Sequence, residues 1–184
     1  MTGHFDFPIL ETGRLILRQL TNDDLDFVFR HFSDPRVNEY LLDEPPVASL
    51  AEAQAIIDFY QEPKANTYNR WGLVRKSDGR MIGTVGFHKW SKAHRRAEIG
   101  YDLSPGAWGE GYMSEAVRAA IGHGFEHMAL HRIDALVYTA NDRSFRLLQK
   151  LGFRQEGLLR DYFTLNGVYY DHYLYALLAT ETGR

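Results

Sequence analysis

Apolar and polar residues alternate through Arg14-Leu15-Ile16-Leu17-Arg18, the period of two expected of a short strand. Thr21 then opens a helix carrying Asp23 and Asp24 in its first turn, where the helix dipole favours acids, and Ser33-Asp34-Pro35 closes it. A second helix is predicted from Ser49, which forms a capping box with Glu52, to about Glu62, with Pro63 marking its end. Asp43-Glu44-Pro45-Pro46 reads as a bend between the two helices.

The middle of the chain reads as extended. Residues 71–75 and 81–88 are apolar runs joined by Lys76-Ser77-Asp78-Gly79, a strong hairpin signal, and residues 97–103 make a further strand. From Met113 onward, Ala116, Val117, Ala120, Ile121, Gly124, Phe125 and Met128 follow the i, i+3, i+4, i+7 spacing of a helix laid on a sheet. A strand over 132–138, a helix over 141–151, extended chain over 153–159 and a hairpin turning at Asn166-Gly167 complete the pattern. This order predicts an α/β fold with a mixed sheet and helices on its faces, built as one domain over residues 1–184.

Composition narrows the function. With 21 Lys and Arg against 24 Asp and Glu in 184 residues, the net charge of −3 gives no general attraction to nucleic acid or anionic membranes. The absence of cysteine excludes disulfides, thiolate ligands and thiolate nucleophiles, and suits a reducing cytoplasm. Neither a signal-like start nor a long apolar run appears, so a soluble cytoplasmic protein is expected.

The most informative stretch runs from Glu98 to Ala116, a strand leading through Gly106, Gly109 and Gly111 into the long helix. Such a loop lets backbone N–H groups approach an anion at a helix start, while the same glycines would also serve a plain tight turn. The order G-x-x-G-x-G matches neither the dinucleotide fingerprint nor the P-loop, which weakens hydride transfer and nucleotide hydrolysis.

Glu98-Ile-Gly-Tyr101, Trp108-Gly-Glu-Gly-Tyr-Met-Ser-Glu-Ala116 and Asn141-Asp-Arg-Ser144 through Gly152-Phe153 resemble the GNAT superfamily of acetyltransferases. Leu10-Glu-Thr12-Gly-Arg14-Leu15-Ile-Leu17-Arg18 and Asp34-Pro35-Arg-Val37 resemble its RimJ/RimL branch. The resemblance spans about residues 10–177 and implies a GNAT fold whose central sheet splays at an acyl-CoA cleft, with helices on both faces. It implies acetyl-CoA as co-substrate, held by backbone groups of Leu103 and by the amides of Trp108, Gly109, Glu110, Gly111, Tyr112, Met113 and Ser114. Asn141 and Ser144 would flank the pantetheine arm. Gly106 departs from the family, many of whose members carry Arg or Gln there.

Acetyl transfer to an amine requires a deprotonated nucleophile, a stabilised oxyanion and a proton for the departing thiolate. Glu98, on the same side of its strand as Gly100 and Asp102, is the candidate base; the alternative is a surface carboxylate paired with Arg95 or Arg96. Ser144 is the candidate acid, against a first-turn hydroxyl that only satisfies backbone donors. Tyr138 and Tyr162 are reserves for the acid. His123, His127 and His131 are spaced by four, but His-x-x-Glu-His is not the zincin order, so no metal is expected. His88 reads as a substrate contact or core residue. The tyrosines of 162–175 lack the interleaved Lys and Arg of a nucleic-acid surface.

The expectation is an acetyl-CoA-dependent N-acetyltransferase of a primary amine, with a protein N-terminal α-amine as the RimJ/RimL acceptor. A polyamine or aminoglycoside acceptor, or a non-catalytic acyl-CoA-binding protein, are the alternatives. Acidic residues lining the acceptor cleft would favour a polycation, and an open groove a peptide. RimJ/RimL-like proteins are often homodimers, and residues 125–130 with the last hairpin are apolar enough for an interface.

Overall fold

The computed structural model describes residues 8–61 and 68–182. Eight strands form one sheet: β1 (Leu10–Glu11), β2 (Leu15–Gln19), β3 (Asn69–Arg75), β4 (Met81–Ser91), β5 (Arg96–Leu103), β6 (Arg132–Tyr138), β7 (Arg154–Leu165) and β8 (Val168–Leu178). Their spatial order is β1-β2-β3-β4-β5-β6-β8-β7. Every neighbouring pair is antiparallel except β5 and β6, which are joined by a crossover through a helix, as parallel pairing requires. The helices are α1 (Leu25–Ser33), α2 (Pro35–Asn38), α3 (Leu50–Gln61), α4 (Tyr112–Glu126) and α5 (Asp142–Lys150).

Strand alternation sorts side chains onto two faces. Leu15, Leu17, Trp71, Val85, Phe87, Ile99, Ile133 and Val137 are buried with Ala116, Val117 and Ala120 of α4 in the main core. On the opposite side a smaller cluster of Leu20, Val28, Val47, Ala53 and Ile57 seats α1 and α3. Helices therefore cover both faces, as predicted.

The first predicted helix ends at Ser33, as expected, and Asp34 also caps the next one: its carboxylate accepts the Arg36 amide, and Pro35, at a position that needs no N–H, starts α2. Other local expectations need adjustment. Ser49 Oγ accepts the Glu52 amide at 3.2 Å, but the Glu52 carboxylate accepts from Ala48 N–H, one residue before the expected partner. The predicted end at Glu62 and Pro63 lies outside the described residues. The extended segment after Phe153 is continuous with the last hairpin, forming the single strand β7 whose pairing slips between Leu159 and Phe163. Residues 125–130 do not offer an apolar surface: Met128 and Leu130 are 6% and 1% exposed, because the chain folds back under the sheet and Leu130 N–H bonds Gly124 O. In the hairpin, Val168 and Tyr169 are exposed. Among the described residues no helix is long and apolar enough to cross a membrane.

Candidate active site

The parallel pair β5 and β6 is short. Pairing holds at Arg96↔Arg132, Ala97↔Ile133 and Glu98↔Asp134 and then stops, although both strands continue to Leu103 and Tyr138. The strands part there, and a cleft of about 800 Å³ opens, lined on its two sides by residues 98–102 and 135–138. The backbone edge of β5 past Glu98 is left without a ladder partner, which makes it a ready acceptor for an extended ligand.

The cleft has two differently equipped faces. Tyr101 points toward α5, where its hydroxyl lies 2.7 Å from Ser144 Oγ. Asn141 caps α5, its Oδ1 accepting the Ser144 amide at 3.1 Å, and so fixes the start of the helix that carries Ser144. Burial pushes the Tyr101 phenol well above its ordinary pKa, so it keeps its proton. The Ser144 hydroxyl is thus engaged by a side chain from β5 and does not serve a backbone donor. Tyr101 was given no role in the sequence; its signals there are its place in the Glu98-Ile-Gly-Tyr101 motif and in the cleft strand.

Glu98, Gly100 and Asp102 lie on the opposite face, as alternation predicts, opposite His88, Gly86 and Thr84 of β4. Glu98 lines the cleft, but its ion pair is with neither Arg95 nor Arg96. Lys89 Nζ stands 3.1 Å from its Oε2, because the pairing of β4 with β5 shifts after His88 and turns Lys89, at φ 51°, back toward it. Arg95 instead donates to the Ala129 carbonyl.

Beneath this face lies a buried charge cluster that sequence reasoning missed apart from Asp102 and His88. Asp102 Oδ1 accepts from His31 Nε2 at 2.6 Å and from the Thr84 amide at 3.0 Å. Its Oδ2 accepts from Arg70 at 2.8 Å and from the Thr84 hydroxyl at 2.6 Å. Burial alone would raise the Asp102 pKa, but His31, Arg70 and Thr84 outweigh it and the carboxyl is held below its ordinary range. Arg70 reaches on to His88 Nε2 at 2.9 Å. The partners come from α1, β3, β4 and β5, so no local motif could have revealed them.

Of the reserves for the acid, Tyr138 stands on the Glu98 face beside Tyr40, Tyr170 and His172, and Tyr162 is 43% exposed on the β7–β8 hairpin. Neither is placed with Ser144. His123 is buried edge-on against Trp71, and among the described residues no group of three potential metal ligands exists.

At the far end of β5, Gly109 and Gly111 both have φ of 80°, a left-handed conformation that side chains resist, and Gly111 is the N-cap of α4. The amides of residues 109–114 have no acceptor among the described residues. Tyr112 lies under Arg14, at 4.4 Å, and the Met113 side chain is buried. The Leu103 carbonyl accepts from the Trp108 indole at 2.8 Å, and Arg143 stacks over that indole at 4.1 Å. Arg14 bonds the Glu110 carbonyl and Glu115, bracing the loop from β2. A shallow depression of about 500 Å³ beside Gly111 and Ser114 is rimmed by Arg14, Arg118 and Lys150, a grouping of cations that the sequence did not reveal. A helix start with free amides and nearby cations suits a phosphate group.

Residues 14–154 match the family described as Acetyltransferase (GNAT) domain. The chain belongs to this acetyltransferase family. An uncharacterized N-acetyltransferase of Bacillus subtilis, YoaA, is 43% identical over 176 residues, covering 94% of this chain and 97% of that protein. Spermidine N(1)-acetyltransferase of Escherichia coli is 30% identical over 153 residues, 83% of this chain and 80% of the relative. The structure of spermidine N-acetyltransferase from Vibrio cholerae in complex with CoA and spermine superposes with a TM-score of 0.83 at 25% identity, covering 94% of this chain and all of the other. The GNAT fold expected from the sequence is thus the fold observed, and the protein is an N-acetyltransferase.

Proposed function

We propose that the GNAT protein described above transfers the acetyl group of acetyl-CoA to a primary amine, the α-amine of a protein or peptide N-terminus, as its RimJ/RimL-like motifs imply. The observation that carries the reading is the parting of β5 from β6 after Glu98, with Glu98 on one face of the slot and the Tyr101–Ser144 pair on the other. Acetyl-CoA would lie along the unpaired edge of β5. The amides of residues 109–114 and the cations Arg118 and Lys150 would hold its phosphates, and Asn141 and Ser144 would border the thioester.

The acceptor amine enters from the α1–α3 side. Glu98, directly or through a water, accepts its proton, and the nitrogen lone pair forms the new C–N bond at the acetyl carbon. The C–S bond then breaks, and the CoA thiolate is protonated through the Ser144 hydroxyl, which gives up its proton as it regains one from solvent water. The Tyr101 phenol, which retains its proton, can donate to Ser144 Oγ and leave the serine proton facing the cleft.

A second reading changes only the acceptor. Asp43, Glu44, Glu52 and Glu98 all line the cleft, and an acidic lining favours a polycation such as spermidine. The test is release of CoA thiol from acetyl-CoA over a panel of N-terminal peptides, spermidine and aminoglycosides. The protein has no cysteine, so a thiol-reactive dye reads CoA alone. Turnover with peptides supports the first reading, turnover with spermidine the second. Tight CoA binding without turnover on any amine points to an acyl-CoA-binding protein.

A further inference from the structure

The hydrogen bonds running from α1 to the cleft have a forced direction. Asp102 is ionised and accepts only, while a guanidinium donates only, so Arg70 donates at both ends of its reach, to Asp102 and to His88. His88 Nε2 must therefore be an acceptor, which leaves the ring proton on Nδ1. Burial, reinforced by the adjacent charges of Arg70 and Lys89, lowers the pKa of this imidazole to about 3. It is a neutral ring with one fixed N–H donor, and as a base its outward edge is useless.

That edge faces the reacting end of the cleft. His88 pairs with Glu98 across β4 and β5 and lines the cleft with it. Its ring lies over Gly100, the second residue past the point where β5 and β6 part. A Cβ at Gly100 would stand 3.1 Å from His88 Cε1 and 3.6 Å from Nδ1, so the absent side chain is what lets the imidazole lean over the strand. Nδ1 has no acceptor among the described residues.

A fixed N–H donor repels an ammonium and needs an oxygen. We propose that His88 Nδ1–H, oriented through His31, Asp102 and Arg70, donates to a carbonyl or carboxylate oxygen next to the acceptor amine, so that the enzyme selects α-amino acyl compounds over plain alkyl amines. The inference rests on the amine-transfer reading above and names its acceptor class. It separates the two acceptors, since a peptide N-terminus carries such an oxygen three bonds from its amine nitrogen and a polyamine carries none. An unsatisfied buried-edge donor disfavours the wrong acceptor as strongly as the bond favours the right one.

The experiment compares kcat/KM for a tripeptide amide, spermidine and n-butylamine in the wild type and in two variants. The amide of His88→Asn reproduces the Nδ1 position. That of His88→Gln reaches only the Nε2 position, where it can still accept from Arg70. Wild type is expected to prefer the tripeptide. His88→Gln should lower kcat/KM for the tripeptide at least tenfold more than for butylamine, and His88→Asn should retain the preference within about threefold. Melting temperature and CoA binding on both variants identify any loss of fold. Equal losses on all acceptors, identical behaviour of the two variants, or a wild-type preference for alkyl amines would overturn the proposal and leave amine transfer intact. A failure to turn over any of the three amines would take down both.

Discussion

The hydroxyls of Tyr101 and Ser144 lie 2.7 Å apart on one face of the cleft, one on β5 where it parts from β6 and the other in the first turn of α5. The bond ties the candidate acid to the strand along which the thioester would lie. Ser144→Ala is expected to lower kcat about tenfold or somewhat more, a cost at the low end for acid catalysis because a CoA thiolate leaves readily. It also strands a buried phenol, so the melting temperature should drop by a few degrees, from about 1 kcal/mol of lost stability. Tyr101→Phe removes the partner without stranding a donor. Its kcat should fall several-fold with CoA affinity retained, read by single-turnover kinetics and calorimetry. Full activity in both variants would move the acid role elsewhere.

Glu98→Gln should lower kcat about a hundredfold or more near neutral pH, within the range for a lost general base, while CoA affinity stays near wild type. The deficit should narrow as pH rises, because the amine then loses its proton to solvent. A deficit constant with pH would reassign Glu98 to positioning the amine, with Lys89 as its partner.

Asp102→Asn removes the charge on which His31, Arg70 and Thr84 converge. Breaking a buried ion pair from one side costs about 3–5 kcal/mol, and chemical denaturation should show a loss of that order. The sign with pH follows from the depressed folded-state pKa of Asp102: its contribution is present above the ordinary carboxylate range and fades as pH falls through the lower folded value. The stability curve of the variant should therefore be flatter than that of wild type on the acid side.

His88 acts over a different window. Its folded-state pKa of about 3 lies below the ordinary 6.5, so between those values the unfolded chain binds the proton and the folded chain does not. Stability should decline as pH falls from 6.5 toward 3, and His88→Gln should weaken that slope. Denaturant melts at half-unit pH steps would show it; an unchanged slope would mean the imidazole protonates in the folded protein.

The double variant Arg118→Ala, Lys150→Ala should weaken CoA binding about tenfold at low salt and less at high salt, since exposed cations attract phosphate through a screened field. Calorimetry at two ionic strengths gives the test. Affinity unchanged at both would leave phosphate recognition to the backbone amides alone.

The sequence was sufficient for features that depend on near neighbours along the chain. Hydrophobic period placed β5, α4 and β6, with the last matching residues 132–138 end to end, because the face each element buries is written in its own spacing. Asp78-Gly79 gave the hairpin, Asn141 the start of the helix that became α5, and the glycines of 106–111 the loop, since turns and helix starts are local chemistry. Alternation also put Glu98 on the face opposite Tyr101. What it could not supply were partners far along the chain. Lys89 reached Glu98 in place of Arg95 or Arg96 because of a register shift, and Tyr101 met Ser144 from 43 residues away. His31, Arg70, Thr84 and Asp102 gathered from four elements. These pairings arise where strands lie side by side and helices cross them, and the direction of each hydrogen bond follows from that assembly. The candidate base and acid were therefore legible as residue types in the sequence, while the donor His88 turns to the cleft was decided by the tertiary structure, because only there do Arg70 and Gly100 fix its ring.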